Sequence, residues 1–239
     1  MQKEKYVTPL SVEEIDQLRS ERQSVHPAIH TFAEDLLVKV NAEFVDQYSD
    51  LLDERPLQRN ANVSERVVIG DDIGYDFNAW NRPVAMKDSL VTGDQFDGHT
   101  SLDHGIIYLM DPIAAWKSLS PDFQKFYEEM YGENAVSEFV NMYLSQTIIH
   151  EVTHLYQPRR CSVAVSEMTA RLVEVELTDR LESGFIRSGL DEFLISGCEF
   201  LIDEFGEETV LRHSFGTLYD FSLSHQIDRA SREYLVEGF

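Results

Sequence analysis

Two histidines and a glutamate lie among the apolar residues of the segment IIHEVTHLYQ, residues 148–157. His150 and His154 are four residues apart, so on a helix they lie on one face, one turn above the other. Glu151 lies about 100° around the helix from His150. Because a packed interior does not accept three converging titratable groups unless something binds them, the pattern predicts a metal site.

H-E-x-x-H on a helix is typical of zinc metallopeptidases, and the chemistry explains the spacing. Two imidazoles one turn apart can both reach a tetrahedral Zn²⁺ at about 2.0–2.1 Å, which leaves one position for a third protein ligand and one for water. The neighbouring Glu151 would act as general base and take a proton from metal-activated water as it attacks a carbonyl. We therefore expect one zinc ion per chain, bound in part by His150 and His154.

The third ligand should come from the next element of the chain. Pro158 cannot continue the helix, and the sequence PRRC at 158–161 predicts a tight turn. Ser162 can cap a second helix that runs back antiparallel to the first. His154 lies four residues before Pro158 and Glu167 lies five after Ser162, so the two stand at similar height. This spacing favours Glu167 as the third ligand.

Polar residues form two opposed stripes on the second helix. One stripe contains Glu167, Arg171, Glu174 and Thr178, and the other contains Thr169, Glu176, Arg180 and Ser183. Apolar residues fill both flanks between the stripes. Such a helix needs one stripe for solvent and one for an interior polar site, although both stripes could also be solvated.

The sequence HEVTH followed by Glu167-Met-Thr-Ala-Arg171 resembles the gluzincin zinc metallopeptidases. The short turn and the E-x-x-A form are most similar to the compact minigluzincin type, and the resemblance covers about residues 60–182. It implies that His150, His154 and Glu167 are zinc ligands and that Glu151 is the general base. It also implies a small sheet with an exposed edge strand before the motif helix.

Glu174 remains an alternative third ligand. It lies 20 residues after His154, which is the separation in thermolysin-like members of that family. With so short a turn, however, Glu174 would lie about 10 Å further from the metal along its helix.

The elements around the motif predict an α+β fold, with a small mixed sheet followed by the motif helix and the glutamate helix. β-favouring runs lie at 66–69, 83–86 and 106–109, and helical patterns at 27–53, 121–131, 135–157, 162–181, 190–205 and 207–223. A capping box at Ser11-Val-Glu-Glu14 predicts a further short helix. We expect a helical N-terminal segment at 1–58, the metallopeptidase core at 59–182 and a helical C-terminal extension at 183–239.

Two further features bear on the substrate. Ile106, Ile107, Tyr108 and Leu109 are predicted to form the edge strand, whose free N–H and C=O groups could pair with an extended peptide; an ordinary sheet strand is the alternative. A Tyr, His or Arg should stabilise the oxyanion, and the candidates are Tyr143, His213, Tyr219 and His225. The sequence does not choose among them.

Charge and composition limit the classes of partner and the cellular location that we expect for the protein. The 43 acidic against 20 basic residues give a net charge of −23, which argues against nucleic acid or an anionic membrane as partner. The start of the chain does not resemble a signal peptide and no run approaches 18 apolar residues, so we expect a cytoplasmic protein. Cys161 and Cys198 are expected to be thiols, and a regulatory metal-binding role for Cys161 is a minor alternative.

The function expected from the sequence is that of a zinc-dependent peptidase, an endopeptidase rather than an exopeptidase, acting on a peptide or protein. The alternatives are a regulatory protease with one target and a catalytically silent metalloprotease-like binding protein. The intact Glu151 favours an active enzyme, because a silent protein has no need of a general base.

Overall fold

The computed structural model describes residues 27–54, 57, 67–70, 98–101, 106–158, 161–184 and 189–237. The capping box at Ser11 and the β-favouring run at 83–86 lie outside these residues.

The described chain begins with helix α1, Pro27–Tyr48, which continues into a 3₁₀ turn at Ser49–Leu51. Strands β1, β2 and β3 follow, and all later elements are helical. The strands are Val67–Gly70, Gly98–Ser101 and Ile106–Met110; the later α-helices are α2 Pro112–Ser118, α3 Pro121–Tyr131, α4 Ala135–Tyr156, α5 Val163–Arg180, α6 Gly189–Phe205, α7 Glu207–Ser214 and α8 Phe221–Glu237.

The predicted α+β class is wrong. Helices make up most of the described structure, whereas the three strands have only four, four and five residues. The described part of the chain is therefore mainly helical. The β-favouring runs misled the classification because they are short, and the helical periodicity extends over most of the remaining described sequence.

The three strands form one sheet in the order β1-β3-β2. Strand β3 pairs with β1 in parallel, with Ile107 opposite Val67, and with β2 in antiparallel fashion, with Ile107 opposite Thr100. The prediction that Ile106, Ile107, Tyr108 and Leu109 form an edge strand is therefore wrong: β3 is the central strand. Its backbone groups already pair on both sides, so it offers no free edge to a peptide.

The central position of β3 agrees with the burial of its side chains. Ile107 and Leu109 are fully buried, as are Val67 and Ile69 on the neighbouring strand β1. These residues alternate along each strand and so belong to one face of the sheet. An interior strand suits an unbroken apolar run better than an edge does, because pairing leaves little of it in contact with water.

The described residues fall into two compact units. Those of 1–37 and 64–148 form the first unit, which holds the sheet, α2, α3 and most of α4. An aromatic cluster belongs to it, in which Tyr127 and Phe139 meet edge to face with 5.8 Å between ring centroids and Trp116 packs on both. The predicted division at 58 and 182 is not tested by these contacts and stays a prediction.

The second unit comprises the described residues of 38–63 and 149–239, including the end of α4 and helices α5 to α8. Its core joins α5, α6, α7 and α8 through buried apolar side chains, among them Met168, Cys198, Val210 and Ile227. Phe44 stacks on Tyr156 at 4.6 Å and meets Phe215 edge to face at 5.7 Å. These contacts bring helices from distant parts of the sequence around the end of α4.

The helix predicted at 207–223 is interrupted. Helix α7 ends at Ser214, and Gly216 follows with φ of +77°, a conformation that residues with a Cβ rarely adopt. Helix α8 then begins at Phe221, where Asp220 accepts hydrogen bonds from the backbone N–H groups of Ser222 and Leu223 at 3.0 and 3.1 Å. The break went unpredicted because the apolar spacing continues across it.

Within the part of the chain that the structure describes, no helix has the length and apolar character needed to cross a membrane.

Candidate metal centre

Helix α4 positions both histidines, as the sequence predicts. His150 is buried and His154 is partly exposed. Helix α4 is buried on nearly all sides near the motif. Several polar residues are buried with the apolar ones: Ser145, Gln146, Thr147, Glu151 and Thr153. Threonines on this helix satisfy their hydroxyl groups locally, since Thr153 donates to the carbonyl of Ile149 at 3.0 Å.

The turn after α4 reverses the chain in the predicted way. Helix α4 ends at Tyr156, and α5 begins at Val163 with Ser162 as its N-cap. The Ser162 hydroxyl accepts a hydrogen bond from the backbone N–H of Val165 at 3.4 Å, which satisfies one of the free donors at the helix start. The reversal brings the first turns of α5 alongside the last turns of α4.

The predicted convergence of His150, His154 and Glu167 is confirmed. The two Nε2 atoms lie 3.0 Å apart. Oxygen Oε2 of Glu167 lies 3.2 Å from Nε2 of His150, and its Oε1 lies 3.5 Å from Nε2 of His154. One potential ligand atom from each of the three residues therefore faces a common point, so these residues form a group that could hold a metal ion.

Glu174 contacts the other side of His150. Its Oε2 lies 3.3 Å from Nδ1 of the imidazole, whereas Glu167 lies beside Nε2. The two glutamates therefore occupy different positions around one ring. Of the two candidates for third ligand, Glu167 is the one beside both Nε2 atoms, and Glu174 is placed to orient His150.

The tautomer of His154 follows from its contacts with Gln157 and Ser166. Nε2 of Gln157 donates to the backbone carbonyl of Ser166 at 3.1 Å and to the hydroxyl of Ser214 at 2.8 Å. Because a carbonyl can only accept, the amide oxygen of Gln157 must face the other way, 2.6 Å from Nδ1 of His154. Nδ1 therefore carries the proton, and Nε2 presents a lone pair.

The same argument applies to His150, whose Nδ1 donates to the carboxylate of Glu174. When each ring is neutral, the proton on Nδ1 leaves the Nε2 lone pair facing the carboxylate of Glu167, and no donor then lies among the three groups. Such an arrangement favours a cation at its centre. Ligands of a tetrahedral zinc ion at about 2.0–2.1 Å would lie about 3.3–3.4 Å apart. The observed separations of 3.0, 3.2 and 3.5 Å bracket that value, so the donor set fits zinc.

The pKa values of His150 and Glu167 also show that the triad favours a positive charge. Burial and the nearby Arg171 lower the pKa of His150, but hydrogen bonds to Glu167 and Glu174 outweigh them and raise it to about 9. Burial raises the pKa of Glu167, but His154 and His150 outweigh it and lower the pKa to about 2. The surroundings therefore stabilise a cation among the imidazoles and the carboxylate.

The burial of the two polar stripes on α5 agrees only in part with the prediction of one interior and one solvated stripe. Glu174 and Thr178 are buried, as expected of the stripe that faces an interior site, and Arg171 pairs with Glu174 at 2.7 Å. On the opposite stripe Thr169 is fully buried, so the expectation that this whole stripe is solvated is wrong. Helix α6 covers this part of α5, and the sequence of α5 alone does not reveal that contact.

Glu151 is 4% exposed and follows His150 directly on α4. Its predicted role as general base is not tested by the contacts that the structure describes, and it stays a prediction.

The four candidates for oxyanion stabilisation occupy different environments. Tyr143 is buried in the first unit, where its ring stacks on Phe139, and Tyr219 is 74% exposed. His213 is buried, with Nε2 2.9 Å from Oδ1 of Asp228. Among the described residues, no hydrogen bond or ion pair joins His213, Tyr219 or His225 to the triad. Their role stays a prediction.

His213 and His225 share a cavity of about 230 Å³ in the second unit. Its lining consists of Cys161, His213, Gly216, Leu218, Phe221, Ser224, His225 and Asp228.

Cys161 and Cys198 are both free thiols. Burial raises the pKa of each to about 12, which makes them poor nucleophiles and poor metal ligands at neutral pH.

Several residues that hold the histidines were missed from the sequence. Gln157 could have been suspected, because it lies three residues after His154 on the same helix face. Ser214 and Asp191 carried no such signal, since they lie on other helices. Ser214 accepts from Gln157, and Oδ1 of Asp191 lies 3.1 Å from Nε of Arg171.

Comparison of the chain with protein-family models, with curated proteins and with solved structures finds no match. What is shown is therefore a His150/His154/Glu167 triad compatible with an H-E-x-x-H…E zinc site in a helical protein.

Proposed function

We propose that this protein is a zinc-dependent peptidase. The observation that carries the proposal is the convergence of both Nε2 atoms and the Glu167 carboxylate, with each histidine's Nδ1 held by a separate acceptor. A triad whose nitrogens are oriented in this way costs little reorganisation on metal binding. The residue after His150 is a glutamate, which in the H-E-x-x-H pattern of metalloproteases is the general base.

In this proposal the triad binds the metal and Glu151 acts as the general base. His150, His154 and Glu167 hold the metal, which when bound polarises a carbonyl and lowers the pKa of water. Glu151 accepts a proton from the attacking water and returns it to the leaving amine. Its burial supports this role, because a carboxylate shielded from bulk water keeps the proton within the site. Resemblance to the gluzincins supports a peptide as substrate.

A second candidate is a metal-binding protein without catalytic activity. One observation favours it: β3, the strand expected to bind the peptide, is paired on both sides. If the protein is a peptidase, it must bind its substrate at a place other than strand β3. The intact Glu151 still favours the enzyme.

Zinc content and peptide cleavage, measured on the same preparations, test the proposal. We expect about one zinc ion per wild-type chain by elemental analysis, and cleavage of a mixed peptide library by mass spectrometry. His150→Ala should lose both. Glu151→Gln should retain zinc and lose about 10²–10⁴ in rate, as is typical of a lost general base.

Glu138→Gln is the matched control, since Glu138 lies on the same helix 13 residues before Glu151. It should retain zinc and activity. Zinc binding without any cleavage by the wild type would favour the silent binding protein. Absence of zinc from the wild type would refute the proposed function altogether.

A further inference from the structure

We propose that three charged side chains outside the ligand set act as a relay that positions His150 and sets the affinity of the triad for a divalent metal ion. The relay runs from Asp191 on α6 through Arg171 to Glu174 on α5. The inference rests on the proposed function, since it takes the triad to be a metal site.

Three contacts define the relay. Oδ1 of Asp191 lies 3.1 Å from Nε of Arg171, and Nη1 of Arg171 lies 2.7 Å from Oε2 of Glu174. The same oxygen of Glu174 lies 3.3 Å from Nδ1 of His150. A single carboxylate oxygen is therefore shared between a guanidinium group and the imidazole of a metal ligand.

Because Glu174 is buried, the position of its shared oxygen depends on both of its partners. The side chain of Glu174 is 1% exposed, so water cannot replace a partner that moves away. A buried carboxylate that loses one of two partners is strongly destabilised or shifts toward the other. The position of Glu174, and with it the ring of His150, therefore depends on where Arg171 is held.

Asp191 determines where Arg171 is held. The side chains of Asp191 and Arg171 are 12% and 26% exposed, so their ion pair is largely shielded from solvent. Asp191 neutralises part of the guanidinium charge and leaves more of the negative charge of Glu174 to the imidazole N–H. Without Asp191, Arg171 would draw the Glu174 oxygen toward itself and weaken its bond to Nδ1 of His150.

The relay also connects the site to a helix that provides no ligand. Asp191 lies in the first turn of α6, which packs along α5. A change on α6 therefore reaches the metal through side chains that touch neither the ion nor a substrate. Groups that orient metal-bound histidines typically contribute 10- to 100-fold to metal affinity.

The test measures zinc affinity by competition with a fluorescent zinc chelator on the full-length chain. Glu174→Gln should weaken zinc binding about 10- to 100-fold, and Asp191→Asn should weaken it by a smaller factor, about threefold or more. The double variant should bind zinc no more weakly than Glu174→Gln alone, because without that carboxylate Asp191 has no path to His150.

Arg180→Gln is the matched control. Arg180 lies on the same helix and forms ion pairs with Glu43 and Asp46 at 3.5 and 3.6 Å, away from the relay. Its loss should leave zinc affinity unchanged. Arg171→Lys provides a second probe if Asp191→Asn does not fold, since a lysine keeps the charge but not the fork that bridges two carboxylates. It too should weaken zinc binding.

Unchanged zinc affinity in Asp191→Asn, with normal binding by the wild type, would overturn the relay and leave the metal site intact. Additive losses in the double variant would also overturn it, because Asp191 would then act independently of Glu174. A wild-type protein that binds no zinc would instead refute the proposed function, and the relay with it.

Discussion

The imidazole of His150 lies between two glutamates of one helix, with Nε2 3.2 Å from Glu167 and Nδ1 3.3 Å from Glu174. Seven residues separate these glutamates, so they lie on the same face of α5, two turns apart. A single ring thereby contacts both carboxylates through its two nitrogens. The roles of the two glutamates differ because only Glu167 also reaches His154.

Zinc retention should distinguish the two glutamates. Glu167→Gln removes a charged ligand, whereas Glu174→Gln leaves a neutral acceptor beside Nδ1 of His150. We expect Glu167→Gln to lose zinc on dialysis under conditions in which Glu174→Gln retains most of it. Elemental analysis after dialysis measures the difference. The reverse order would identify Glu174 as the ligand.

Added zinc should stabilise the folded protein. A ligand that binds only the native state at 100 times its dissociation constant contributes about 2.7 kcal/mol to the free energy of unfolding. The melting temperature of the wild type should therefore rise with zinc and fall with a chelator, and that of His154→Ala should not respond. Differential scanning fluorimetry measures both. An equal response in His154→Ala would mean that zinc binds elsewhere.

A buried pair in the second unit should make stability depend on pH. The hydroxyl of Tyr48 donates to Glu176, and Nε2 of Gln47 donates to the same oxygen at 3.0 Å. Burial raises the pKa of Glu176; Glu207 also raises it, while its hydrogen bonds and Arg180 lower it by less. A raised pKa favours the protonated carboxyl in the folded state. Its stabilising contribution is full below the ordinary pKa of 4.5 and is lost as pH rises through the raised value.

Glu176→Gln tests this dependence, because glutamine keeps the acceptor for Tyr48 without the charge. The variant should match the wild type in unfolding free energy near pH 4 and exceed it at pH 7. Tyr48→Phe is the companion change and should lower stability at pH 7, since it leaves the carboxylate with one donor fewer. Chemical denaturation across this pH range measures both. A variant less stable than the wild type at pH 7 would contradict the assignment.

Ile107→Ala should destabilise the sheet. Ile107 is fully buried on the central strand, so the substitution removes packing and leaves a cavity. Such changes lower the free energy of unfolding by about 2–5 kcal/mol. Chemical denaturation measures the loss, and zinc content serves as the control because Ile107 lies far along the chain from the ligands. A loss near zero would mean that the strand is not packed as described.

The sequence by itself predicted the triad that could hold a metal ion. Helical periodicity places His150 and His154 on one face, and the six-residue connection between Tyr156 and Val163 brings Glu167 to their height. These are local relations, set by the pitch of a helix and the length of a turn. The bounds of α3, α4, α5 and α6 could be predicted for the same reason.

Only the tertiary structure decided which groups orient the triad and how the strands pair. Ser214 and Asp191 reach the site from other helices, and β3 lies between two strands that flank it on either side. Such contacts depend on which helix faces and strand edges meet, and residues distant in sequence carry no periodic signal of their meeting. The predicted edge strand failed for this reason: it was inferred from the position of residues 106–109 before the motif helix, whereas its place in the sheet depends on pairing with residues distant in sequence.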